Sequence, residues 1–243
     1  MNLLAASTST MYGGGFLEYL LPELSKLFEN VSELLFIPYA RPGGISHDIY
    51  TRKAQKAIQP LGIDVKGIHE FDNAKQAINE AQAIFVGGGN TFVLVKELYE
   101  NNILDSLREV VRKGTPYLGT SAGSNITGPS VRTTNDMPIV EPPSLDALGF
   151  LPFNLNPHYL DPDPDSRHQG ETRETRIAEF HAYNKEAVIG LREGSWILVQ
   201  GDNISLEGTL SARIFELGKK PYELYPGKEL NFLAAEQQSE STE

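Results

Sequence analysis

Short apolar runs alternate with longer amphipathic stretches through the first half of this chain, an alternation that confines it to repeated βαβ units around a parallel sheet. Asn2–Ala6 (NLLAA) and Glu33–Ile37 (ELLFI) read as strands, as do residues 83–86 (AIFV) and 115–119 (TPYLG), with a shorter alternating strand at 64–68. Helical patterns fall between them at 16–28, 48–59, 73–80, 91–99 and 104–112. Asn90 or Thr91 is placed to cap the fourth of these.

The second half is less regular. A Pro-rich stretch from 137 to 164 carries only a short strand-like piece at 155–158, and a helix is expected around 171–184. Three more strand candidates follow at 187–191, 196–199 and 212–216, and their close turns suggest an antiparallel extension of the sheet. With no repeats and no Ser/Gly linker, the expected fold class is α/β: one domain over residues 1–235, with a mostly parallel central sheet flanked by helices and an antiparallel C-terminal extension. Residues 236–243 read as a disordered polar tail.

Composition excludes several kinds of chemistry. The 243 residues include no cysteine, so disulfides, thiolate metal sites, iron–sulfur clusters and a cysteine nucleophile are all ruled out. A net charge of −11 without any Lys/Arg cluster argues against nucleic-acid binding. There is no basic, apolar leader at the N-terminus and no apolar run approaching a membrane span, so a soluble cytoplasmic protein is expected, without membrane association.

Two glycine-rich turns stand where strands should end. Gly119-Thr120-Ser121-Ala122-Gly123 fits G-x-S-x-G between an expected strand and an expected helix. Such a turn needs small flanking residues because the backbone at its centre is strained, and it lifts the Ser121 hydroxyl above the sheet edge. The amide of Ala122 would then face an oxyanion. Gly87-Gly88-Gly89-Asn90 lies at another strand's C-terminal end, the edge where parallel sheets bind ligands, and its glycines let backbone amides approach a substrate closely. It matches neither dinucleotide nor phosphate-loop patterns.

A serine nucleophile requires a base and a carboxylate to orient it. Among His47, His69, His158, His168 and His181, His158 has the best context, following a short apolar piece and Pro157. Two carboxylates compete. Asp136 would give the Ser, Asp, His order of α/β-hydrolases, whereas Glu193 lies in a tight turn just past an expected strand. The residues alone leave both open. They also leave open an esterase on Ser121, Asp136 and His158, or a non-catalytic module binding a small acid.

Taken together, Val86-Gly87-Gly88-Gly89-Asn90-Thr91-Phe92, Gly119-Thr120-Ser121-Ala122-Gly123, Arg132-Thr133-Thr134-Asn135-Asp136-Met137-Pro138-Ile139-Val140, Asn156-Pro157-His158, Gly170-Glu171-Thr172-Arg173-Glu174 and Glu193-Gly194 resemble the peptidase E family of aspartyl dipeptidases, in order along nearly the whole chain. The resemblance implies a fold like that of class I glutamine amidotransferases and a serine peptidase cleaving dipeptides with N-terminal aspartate. It implies Ser121 as nucleophile, His158 as base, and Glu193 as the orienting acid, with Asp136 kept as a further site residue. Gly88 or Gly89 with Ala122 would form the oxyanion hole. Arg173 would hold the aspartate side chain, with Arg132 and Asn90 as further substrate contacts, and residues 159–170 would act as a lid. Where the family often has an aromatic residue before the nucleophile, this chain has Thr120. No cofactor or metal is implied, the partner is a small dipeptide, and the expected state is a monomer or homodimer. A cyanophycin-type hydrolase would share this scaffold and differ in substrate.

Overall fold

A computed structural model of the chain describes residues 1–163, 165, 167 and 170–234. The expected tail at 236–243 and part of the expected lid lie outside the described residues.

The main sheet has eight strands. Five of them run parallel: β1 (Asn2–Ala6), β2 (Glu33–Ile37), β3 (Asp64–Gly67), β4 (Ile84–Val86) and β5 (Tyr117–Thr120). Their connections carry α1 (Leu21–Leu27), α2 (His47–Ile58), α3 (Ala74–Glu80), α4 (Thr91–Glu100) and α5 (Leu104–Arg112), and a single turn, α6 (Ala122–Asn125), follows β5. Strands β1, β2, β4 and β5 are buried along nearly their whole length, while the edge strand β3 alternates buried and exposed. Covered faces explain the unbroken apolar runs. One face packs Leu3, Ile37, Val86 and Tyr117 against α4 and α5, and the other packs Leu4, Phe36, Phe85 and Leu118 against α1 and α2.

Helix starts follow local chemistry. Ser46 accepts from the Ile49 amide at 3.2 Å at the start of α2, and Asn90 accepts from Val93 at 3.1 Å at the start of α4. Each satisfies a backbone donor that the helix itself cannot.

The second half departs from the expected single extended sheet. β6 (Asn154–Pro157) is followed by α7 (Arg173–Phe180), β7 (Val188–Leu191), β8 (Ser195–Gln200), β9 (Asn203–Gly208), β10 (Ala212–Phe215), β11 (Tyr222–Leu224) and β12 (Lys228–Glu229). Of these, β8, β9 and β12 extend the main sheet antiparallel from β1, giving the order β12-β9-β8-β1-β5-β4-β2-β3. The others form a second sheet ordered β11-β10-β7-β6, in which β6 and β7 are parallel. Strands β7 and β8 are therefore not a hairpin. The short connection Arg192, Glu193, Gly194 crosses from one sheet to the other, with Gly194 at φ 90°, a conformation glycine adopts without strain.

An ion-pair network holds this crossing. Arg192 donates to both oxygens of Asp161, at 2.8 and 2.6 Å, and to both oxygens of Glu223, at 2.8 and 3.0 Å. Those hydrogen bonds hold the Arg192 guanidinium above its ordinary value. Among the described residues no helix is long and apolar enough to cross a membrane.

Candidate active site

The junction between the two sheets gathers the strand ends that carry chemistry. Ser121 follows β5, Ser7 follows β1, His158 follows β6 and Glu193 follows β7. The elbow at Ser121 is tight. Its φ of 54° and ψ of −111° lie where side chains are strained, and its amide donates to the Ala6 carbonyl at 3.1 Å. A Cβ on Gly119 would come within 2.4 Å of the Gly123 carbonyl oxygen, and one on Gly123 within 2.1 Å of the Val86 oxygen. Glycine at both positions lets strand and helical turn meet this closely.

His158 also takes a positive φ, 54°, and its ring lies between two side chains. Nε2 is 2.9 Å from Ser121 Oγ and Nδ1 is 2.6 Å from Glu193 Oε1. The Glu193 carboxylate therefore selects the tautomer that carries its proton on Nδ1, leaving Nε2 free to accept from the serine hydroxyl. Side-chain exposures of 40% for His158 and 46% for Glu193 leave the pair open to a small substrate. The charge on Glu193 reaches Tyr19, whose hydroxyl is held above its ordinary value by burial first and by Glu193 second.

The glycine turn faces the same serine. A Cβ on Gly88 would lie 2.9 Å from Ser121 Cβ and 3.5 Å from its Oγ, so the Gly88 backbone lies beside the Ser121 side chain with no room for a side chain between them. Gly87 donates to Ile37 O at 3.1 Å and Asn90 to Ala40 O at 2.7 Å, whereas the amides of Gly88 and Gly89 donate to no group among the described residues. Ala122 opens α6 immediately after the serine.

Comparison with known proteins gives the family of the chain. The sequence model of peptidase family S51 matches residues 3–207. The chain belongs to peptidase family S51. Peptidase E of Streptomyces coelicolor is 49% identical over 233 residues, covering 96% of this chain and 95% of that protein. A Drosophila melanogaster protein named "Probable alpha-aspartyl dipeptidase" is 49% identical over 235 residues, covering 96% of this chain and 97% of its own. A solved peptidase from an acI-B1 Actinobacterium shares the fold at TM-score 0.71 with 16% identity, over 94% of this chain and 96% of that one.

Asp136 is placed elsewhere in this S51 peptidase. Its Oδ2 accepts from the Thr91 amide at 2.7 Å, from Thr91 Oγ1 at 2.6 Å and from Thr134 Oγ1 at 3.2 Å. It caps α4, where a carboxylate satisfies free amides and complements the helix dipole. The orienting contact to His158 that Asp136 could have supplied is made by Glu193 instead. The segment around Asp136 acts as a strap, because Asn135 donates to Pro157 O at 2.7 Å and Asn156 donates to Asn135 Oδ1 at 2.8 Å. It ties the strand end before His158 to the start of α4.

The residues expected to contact substrate divide. Asn90 is occupied, capping α4 with its oxygen and donating to Met137 O at 2.9 Å. Arg132 pairs with Asp146 at 3.5 Å. Arg173, the first residue of α7, has no carboxylate within ion-pair distance among the described residues and lines a cavity of about 420 Å³ with Leu160, Pro162 and Thr172. Burial and the neighbouring Arg176 pull its guanidinium below the ordinary value, and the charge of Asp136 opposes them.

Three contributors are not visible as motifs. Ser7 accepts from the His158 amide at 2.9 Å and donates to Leu191 O at 2.7 Å, joining both sheets beneath the histidine. Tyr50 and Arg41 both donate to the Gly88 carbonyl, each at 3.1 Å. The only available signal was position, since Ser7 and Arg41 each follow the C-terminal end of a parallel strand.

Proposed function

We propose that this S51 peptidase is a serine-type dipeptidase that hydrolyses dipeptides with N-terminal aspartate through an ester on Ser121. The observation that carries the reading is the position of His158, 2.9 Å from Ser121 Oγ and 2.6 Å from Glu193. As Ser121 Oγ bonds to the peptide carbonyl carbon, its proton passes to His158 Nε2, and the imidazolium is stabilised by Glu193. The amides of Ala122 and of the Gly88–Gly89 turn receive the oxyanion. The C–N bond then breaks as His158 returns the proton to the leaving amine. Water, deprotonated by the same histidine, attacks the aspartyl ester carbonyl; the C–Oγ bond breaks and the proton passes from His158 to Ser121 Oγ. Every group used is a protein group, so these steps call for no metal or cofactor.

Arg173 supports the aspartate specificity. In a chain of net charge −11, a carboxylate ligand needs a local cation, and a guanidinium free of carboxylate partners among the described residues offers a bidentate fork. The name of the Drosophila relative points to the same substrate. The test is a panel of Asp-X, Glu-X, Asn-X, acetyl-Asp-X and a tripeptide, assayed with the wild type, Ser121→Ala and Arg173→Ala. Asp-X should be cleaved much faster than the other substrates, and Ser121→Ala should be inactive but folded. Arg173→Ala should lose Asp-X selectively. Activity retained in Ser121→Ala rejects the mechanism, and equal loss across the panel in Arg173→Ala rejects the specificity role.

A further inference from the structure

The turn beside Ser121 contains a peptide with almost no intrinsic preference for one orientation. Gly88 and Gly89 flank it, and Gly89 sits at φ 149°. A peptide between two glycines can rotate by half a turn at little steric cost, because no side chain resists the change in the flanking dihedrals. One orientation presents an N–H to the serine. The other presents a carbonyl oxygen, which would repel an oxyanion.

The surroundings select between the two. The Gly88 carbonyl accepts from Tyr50 Oη and from Arg41 Nε, each at 3.1 Å. In a trans peptide the C=O and the following N–H point in opposite directions. With the Gly88 carbonyl held toward Tyr50, the Gly89 N–H is turned away from Tyr50, and Ser121 is the neighbour that a Cβ on Gly88 would meet. Tyr50 is itself fixed: it is 1% exposed, Phe36 packs edge-on at 4.9 Å between ring centroids, and the Arg41 guanidinium lies 5.3 Å over its ring. A Cβ on Gly87 would fall 2.7 Å from Tyr50 Oη, so glycine at 87 is what admits the hydroxyl. Burial also keeps that hydroxyl protonated, as a donor must be.

We propose that Tyr50 and Arg41 are positioning residues that lock the Gly88–Gly89 peptide with its N–H toward Ser121, so that the oxyanion hole stands ready before substrate binds. The inference rests on the serine-nucleophile reading above. Neither residue touches the reacting atoms. Each acts through the carbonyl it holds.

The experiment compares wild type, Tyr50→Phe, Arg41→Met and the double variant in two assays: Asp-X hydrolysis, and the rate of Ser121 modification by a small fluorophosphonate, whose phosphoryl oxygen needs the same hole. Tyr50→Phe should lower kcat severalfold, and the double variant should lower both kcat and the modification rate by roughly 100-fold, approaching the loss of one oxyanion donor. KM and the pH profile should stay at wild-type values, and Arg41→Lys should recover part of the loss of Arg41→Met. Because Tyr50→Phe removes a single oxygen, its rates remain readable if the double variant folds poorly. Wild-type rates in Tyr50→Phe and the double variant would overturn the positioning role. A wild-type enzyme that the fluorophosphonate leaves unmodified would instead overturn the serine reading on which it rests.

Discussion

The backbone amide of His158 donates to the hydroxyl of Ser7 at 2.9 Å, across 151 residues of sequence. Ser7 passes the contact on to Leu191 O at 2.7 Å, so one hydroxyl joins the main sheet to the second sheet at the base of the histidine. His158 is a non-glycine residue at φ 54°, which costs energy unless its surroundings hold it. Ser7→Ala should leave that amide without its partner, destabilise the fold by about 1–3 kcal/mol and lower kcat roughly tenfold through loss of orientation. Thermal unfolding with steady-state kinetics checks both, and unchanged kcat would show that Ser7 does not set the position of the ring.

The two carboxylates should separate cleanly. Glu193→Gln replaces an acceptor-only carboxylate with an amide that can donate as well as accept, so it removes the charge and no longer selects one His158 tautomer, and kcat should fall by roughly 100-fold or more with the fold intact. Asp136→Asn should instead weaken the cap of α4, lowering stability by about 1 kcal/mol with a smaller effect on kcat. Parallel kinetics and denaturant titrations decide it. The reverse ranking would assign the orienting role to Asp136.

Strain at the elbow predicts a trade of stability against activity. Ser121 holds φ 54° and ψ −111°, a region in which glycine is favoured over any side chain. Both Ser121→Gly and Ser121→Ala should be inactive, yet the glycine variant should be the more stable of the two by about 1 kcal/mol. Differential scanning calorimetry on the pair is sufficient, and an alanine variant equal or higher in stability would show that the elbow stores no strain.

Acid should act on the crossing between the sheets. The Arg192 guanidinium, donating to Glu223, holds that carboxyl below its ordinary value of 4.5, and Ser211 adds a further hydrogen bond. A folded value below the unfolded one means that the pairing contributes its full stability above about pH 4.5 and loses it as pH falls through the folded value. The thermal midpoint should therefore drop below that pH, and Glu223→Gln should show a shallower drop from a lower starting point. Equal slopes for both proteins would remove Glu223 as the acid-sensitive group.

What could be read from the sequence was what neighbouring residues encode together. Asn2–Ala6, Glu33–Ile37 and Leu104–Arg112 occupy the expected spans because strand burial and helical periodicity are written into contiguous side chains. The tight turn at 119–123 was legible for a similar reason: only glycine at 119 and 123 permits the backbone approach, and that requirement shows in five letters.

Pairing was decided by the tertiary structure. Strands β7 and β8 looked like neighbours but joined different sheets, because the partner a strand chooses depends on which apolar faces remain uncovered elsewhere in the molecule. That separation carries Glu193 across the junction to His158, 35 residues back in sequence, and leaves Asp136 on Thr91, 45 residues away. Tyr50 reaches Gly88 over 38 residues in the same way. Residue types and local geometry were fixed by sequence period and glycine placement; which side chains meet was fixed only when the two sheets packed, since hydrogen-bond partners distant along the chain leave no local pattern to read.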